Sequence, residues 1–196
     1  MKKLTYMYVL FLLALLVGGC GSDHVSTPKP KGYSRLYFPD KQYRLYDADA
    51  PYSFEYPVYA TLSNDRDKNA QKWWKNLNFT QFNGVLHLTY YENFSAKDYN
   101  EMTENARVLA MKHTIKADLI DQKRINYPDK KVYGIYYSIE GNTASSVQFF
   151  LTDSLHHYLR GALYFNERPQ YDSIQPVINF IKQDIDKMIA TFKWKK

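Results

Sequence analysis

The stretch VYGIYYSIEGNTASSVQFFLTDSLHHYLRGALYF, residues 132–165, constrains the fold more than any other part of the chain. Three runs rich in aromatic and β-branched residues, 132–140, 144–152 and 157–165, are separated by Gly141-Asn142-Thr143 and Asp153-Ser154-Leu155-His156. Connections this short join only neighbouring antiparallel strands, because a parallel return needs a crossover of a dozen or more residues. A three-strand meander follows. Alternation places Tyr133, Ile135, Tyr137, Ile139, Val147, Phe149, Leu151, Leu159, Leu163 and Phe165 in one phase, expected to face helices. The other phase holds Tyr136, Ser138, Glu140, Ser146, Gln148, Phe150, Arg160, Ala162 and Tyr164. That mixture of aromatic and polar side chains has the composition of a contact surface, unless N-terminal strands cover it in a sandwich. A three-residue first turn predicts Tyr136 opposite Gln148. The second turn predicts Phe150 opposite Arg160 and Ser146 opposite Tyr164, with Gly161 beneath Phe149 on the core side. Tyr136, Gln148 and Arg160 thereby become neighbours at the centre of the expected interaction surface.

The remaining elements decide what covers the meander. Strand-like runs occupy 33–38, 54–61, 77–82 and 85–91. Apolar or small residues at Met102, Ala106, Leu109, Ala110, His113, Ala117 and Ile120 predict a helix over 102–121, with a short strand near 124–127 after it. The last helix is expected to start with Ser173 as its cap and Pro176 in its first turn. Its buried stripe then runs through Ile174, Val177, Ile178, Ile181, Ile185, Met188, Ile189 and Phe192. Strands in runs, without βαβ alternation, predict an α+β fold of mostly antiparallel sheet with packed helices.

The N-terminal end has a separate logic. Lys2 and Lys3 precede an apolar run over 4–17, and Val17-Gly18-Gly19 leads into Cys20, the only cysteine in the sequence. The run is shorter than the roughly 20 residues a bilayer-spanning helix needs, and it has the layout of an export signal. Small residues directly before a cysteine resemble the lipobox, in which the thiol is acylated and becomes the first mature residue. Residues 1–19 are therefore read as signal, 20–32 as a lipidated polar linker holding Pro28 and Pro30, and 33–196 as one globular domain. Membrane attachment is through lipid at Cys20.

Charge and spacing narrow the function classes. The formal net charge is +6, part of it from Lys2 and Lys3, with acids and bases interspersed, so no nucleic-acid stripe is visible. Of the five histidines only His156 and His157 are close together, and with Asp153 they match no metal-site spacing. Ser145, Ser146 and Ser154 lie outside any G-x-S-x-G elbow, and "EGNTASS" fits no phosphate-cradling loop. We expect no cofactor, no metal and no catalysis. His113 is read as a core histidine whose ring nitrogen is satisfied by a neighbour. The alternative is an enzyme or small-ligand binder with a cleft near His113 and the 140–148 hairpin.

"TPKPKGYSRLYFP", "YSFEYPVYATL", "MKHTIKADLI", "KVYGIYYSIEGNTASSVQFFLTDS" and "LRGALYFN" span nearly the whole chain. In these strings the sequence resembles the GldD family of lipoproteins from gliding Bacteroidota. The resemblance implies a cell-envelope protein required for gliding motility, linked to type IX secretion of surface adhesins and associated with the membrane protein GldE. It brings no reaction and no catalytic residues. "CGSDHV" carries only Asp23 after the cysteine, which favours a periplasm-facing position over surface display. At fold level the layout, with "YSFEYP" early and "ATFKW" closing the last helix, is similar to the PsbP/Mog1-like sandwich.

Overall fold

The meander forms as three adjacent antiparallel strands and is extended on both sides. The computed structural model describes residues 36–166 and 171–195, so the expected signal, linker and Cys20 lie outside the described residues. In chain order the elements are β1 (Tyr43–Tyr46), β2 (Tyr52–Pro57), β3 (Thr61–Asn64), β4 (Lys75–Phe79), β5 (Gly84–Glu92) and α1 (Ala96–Met111). They continue with β6 (Ala117–Tyr127), β7 (Val132–Gly141), β8 (Ser145–Thr152), β9 (His157–Phe165), α2 (Tyr171–Thr191) and β10 (Lys193–Trp194). Seven strands form one antiparallel sheet in the order β3-β4-β5-β9-β8-β7-β6, and β1-β2-β10 form a smaller one. The fold is α+β, mostly antiparallel sheet with packed helices.

The register of the first hairpin differs from expectation by one residue. Tyr136 pairs with Phe149, Tyr137 with Gln148 and Ser138 with Val147. Gly141 takes φ +107° with the β6 backbone against its α-carbon, where a Cβ would stand 2.8 Å from the Asp118 nitrogen. The turn closes through Thr143 N–H to Gly141 O at 2.8 Å, and a bulge interrupts β8 between Ser145 and Val147. One residue of slip inverts the faces of a whole strand relative to its partner. Tyr136, Ser138 and Glu140 consequently share a face with Phe149, whereas Gln148, Phe150, Arg160 and Ala162 occupy the opposite one. The second turn holds more closely: Phe150 pairs with Arg160 and Phe149 with Gly161, though Ser145 rather than Ser146 meets Tyr164.

Helices cover both faces rather than one. On one side α1 packs Ala106 against Phe150 and Tyr158, and Ala110 against Tyr137 and Ile139. On the other, α2 brings Ile181, Ile185 and Met188 onto Leu86, Phe149 and Leu163, with Tyr52 and Phe54 of β2 and Phe192 completing the main core.

The helix expected over 102–121 starts earlier and ends earlier. Ser95 and Asp98 form a reciprocal capping box, with Asp98 N–H on Ser95 Oγ at 3.2 Å and Ser95 N–H on Asp98 Oδ2 at 2.9 Å. After Met111 a 3₁₀ turn, Lys112–Ile115, carries His113, and 117–121 belong to β6. The first turn of α2 is likewise fastened from afar: Asn142 Oδ1, in the β7–β8 turn, accepts Tyr171 N–H at 2.9 Å. Ser173 lies inside the helix, so it is not the cap.

Candidate interaction surface

The nominated residues divide between two polar arrangements. Under α1, Arg160 Nη2 donates to Gln148 Oε1 at 2.8 Å, and Gln148 Nε2 lies 3.0 Å from His113 Nε2. With the amide oxygen already accepting, the Gln148 nitrogen must donate, so His113 is held neutral with Nε2 as acceptor. Burial, and then the Arg160 charge, push the His113 pKa below its ordinary 6.5. Gln148 is itself buried at 2% exposure and Ser146 and Phe150 at 3%, so these three form interior rather than surface. Tyr164 sets its ring edge-on against His87 at 5.7 Å.

On the α2 side Lys182 Nζ donates to Ser138 Oγ at 2.7 Å. Burial lowers the Lys182 pKa, while Glu140, Asp186 and Asp121 oppose that shift. A lysine that loses its proton beside a serine hydroxyl can serve as a base, but three surrounding carboxylates favour the ammonium. Asp186 is also displaced: burial raises its pKa against the pull of Lys123 and Lys182. Tyr136, only 8% exposed, lies in the main core. The predicted neighbourhood of Tyr136, Gln148 and Arg160 is thus corrected: the sheet itself separates Tyr136 from the other two.

The most deeply placed carboxylate escaped sequence reading. Asp184, 1% exposed, interrupts the apolar stripe of α2. Lys41 Nζ reaches its Oδ1 at 2.7 Å and Tyr43 OH donates to the same oxygen at 2.9 Å, while Tyr59 OH donates to Oδ2. Lys41 also stands 3.3 Å above the Phe180 ring and donates to Phe180 O at 2.8 Å. Desolvation lowers the Lys41 pKa in spite of Asp184. The available signal was a single acid between Ile181 and Ile185; its partners lie more than a hundred residues away in sequence. At the other nominated cluster, Asp153 Oδ1 accepts N–H groups from Leu155, His156 and His157 at 2.8–2.9 Å and so builds the β8–β9 turn.

Two of the hollows among the described residues flank β6, one on each face. The larger, about 540 Å³, lies under α1 and is lined by Tyr99, Thr103, Gln122, Arg124, Tyr133 and Phe150 among others. The smaller, about 380 Å³, lies beside α2 with Lys123, Tyr127, Tyr136, Asp186 and Ile189 in its walls.

No curated protein matches the chain. Among solved structures it is similar to the solution structure of cyanobacterial PsbP (CyanoP) from Synechocystis sp. PCC 6803, with 15% identity and a TM-score of 0.45. That match covers 85% of this chain and 99% of the other. The model of the gliding motility lipoprotein GldD family matches residues 23–194, and the chain belongs to that family.

Proposed function

We propose that this lipoprotein takes part in gliding motility non-catalytically, as a contact-making component of the envelope linked to type IX secretion of surface adhesins. Membership of the lipoprotein family makes it a membrane-anchored envelope protein with a role in gliding. Among the described residues no helix is long and apolar enough to cross a membrane. We place the anchor at Cys20 and the domain on the periplasmic side, with a GldE-type membrane protein as partner. The observation that carries the contact reading is the use made of the deepest polar groups. Asp184 is saturated by Lys41, Tyr43 and Tyr59, and Gln148 by Arg160 and His113, which leaves them as fasteners of the fold.

Photo-crosslinking in intact gliding cells tests this, with the crosslinker carried at exposed positions of the full lipidated chain. Capture of GldE-type or secretion-machinery proteins is the expected result. Absence of any envelope protein among the products, together with labelling of Ser138 by a serine-reactive fluorophosphonate, would instead support a catalytic reading of the Ser138–Lys182 pair, distinct from the cleft near His113 and the 140–148 hairpin.

A further inference from the structure

Among the described residues β6 pairs with β7 alone and closes the large sheet on that side. It is eleven residues long, and only Ile125 in it is buried. Such an edge presents a row of backbone N–H and C=O groups to any strand that can lie beside it. The opposite edge is different: β3 has four residues, and the Asn78 amide already donates to Thr61 O and Ser63 Oγ there. On β6 the bulge between Ala117 and Leu119 leaves 119–127 as regular strand.

The two hollows add selectivity to this edge. By register Gln122 and Arg124 stand on the α1 face of β6 and Lys123 and Tyr127 on the α2 face, with Lys123, Arg124 and Ile125 bordering both hollows. A strand laid along β6 would alternate in the same way, directing successive side chains into opposite hollows. The α1-side hollow has cationic and aromatic walls and no carboxylate, with Arg124 exposed within it. The α2-side hollow offers the apolar Ile189 and Ala190 next to Asp186.

We infer that β6 is the docking edge for an extended segment of a partner polypeptide, with carboxylates facing Arg124 and apolar side chains facing Ile189. This rests on the contact reading proposed above and gives the contact a location and a chemistry. The charges of Asp121, Lys123 and Arg124 on the edge discourage indiscriminate strand pairing while selecting a partner of complementary pattern.

The test uses the full-length lipoprotein in detergent micelles, titrated with a fluorescein-labelled peptide of alternating Glu and Val, about nine residues long to match the 119–127 stretch. Three comparisons accompany it: the same peptide N-methylated at alternate residues, a Lys/Val peptide, and the Arg124→Glu protein. Saturable binding of the Glu/Val peptide is expected. N-methylation should weaken it by about tenfold or more, because the added strand then lacks its ladder donors. Arg124→Glu should also weaken it by about tenfold and reverse the preference toward the Lys/Val peptide. Equal binding of the methylated peptide, equal binding of all peptides, or none would overturn the proposal. So would a dimer in sedimentation velocity that Arg124→Glu dissolves while no peptide binds, since the occupant would then be a second copy. A failed titration with envelope crosslinks intact moves the contact to another surface, whereas loss of the crosslinks themselves removes the contact reading.

Discussion

Asp184 and His113 are polar residues whose roles are set by the groups that converge on them. Asp184 stays in an apolar stripe because an ammonium and two phenols converge on it. Asp184→Ala would leave Lys41 without its counter-charge and both hydroxyls without an acceptor. Loss of one partner from a buried pair costs about 3–5 kcal/mol, and urea denaturation should show a drop of that order, with a smaller one for Asp184→Asn. A loss under about 1 kcal/mol would show that the knot contributes little. For His113 the neutral form is the one Gln148 can bond. Its folded-state pKa lies below 6.5, so the unfolded chain binds the proton more readily. The stabilisation is therefore complete above pH 6.5 and is lost as pH falls through that value toward the lower folded pKa. His113→Leu should flatten the fall in stability between pH 7.5 and 5.5 relative to the unaltered protein. Parallel slopes would contradict the assignment. The sequence showed His113 as a residue needing a partner; it could not show Asp184's donors, because nothing local marks Lys41, Tyr43 or Tyr59 as converging.

At the scale of elements, periodicity found the strands of the meander and the apolar stripe of α2, and it misplaced what long-range contacts decide. The spacing of Ala110, His113, Ala117 and Ile120 imitates a helix, yet Ala117 and Ile120 reach the same cluster from a strand. The β7–β8 register depends on Gly141 sitting against β6, a contact invisible to a turn-length rule, and that one residue moved Tyr136 and Ser138 to the far face. The β8–β9 register was legible from the turn length at Phe149–Gly161 and Phe150–Arg160, and failed only past the β8 bulge, where Ser145 and not Ser146 meets Tyr164. A Cβ on Gly161 would come within 2.2 Å of Phe149 Cζ, and Phe149 is 1% exposed with nowhere to move. Gly161→Ala should cost about 2 kcal/mol in thermal or urea denaturation. Phe149→Leu added to it should return a large part of the loss, so the double variant is more stable than the two single effects summed. Additive losses would place the clash elsewhere.

For the whole molecule, the α+β class was legible in hydrophobic patterning, while membership of the lipoprotein family rests on the match over residues 23–194. The docking edge proposed on β6 was the least legible level. Exposure of an edge strand and the hollows flanking it depend on the final strand order, in which β6 follows β7 in space but precedes it in sequence. The central claim is that this chain serves motility through contact and not through chemistry. Colony spreading of cells whose only copy carries Ser138→Ala, Lys182→Met and His113→Leu tests it most directly, since these changes remove the groups best placed to act as nucleophile or base. With protein amount and membrane fraction unchanged, the account predicts spreading like that of cells with the unaltered chain. Non-motile cells holding a folded, membrane-anchored triple variant would contradict it.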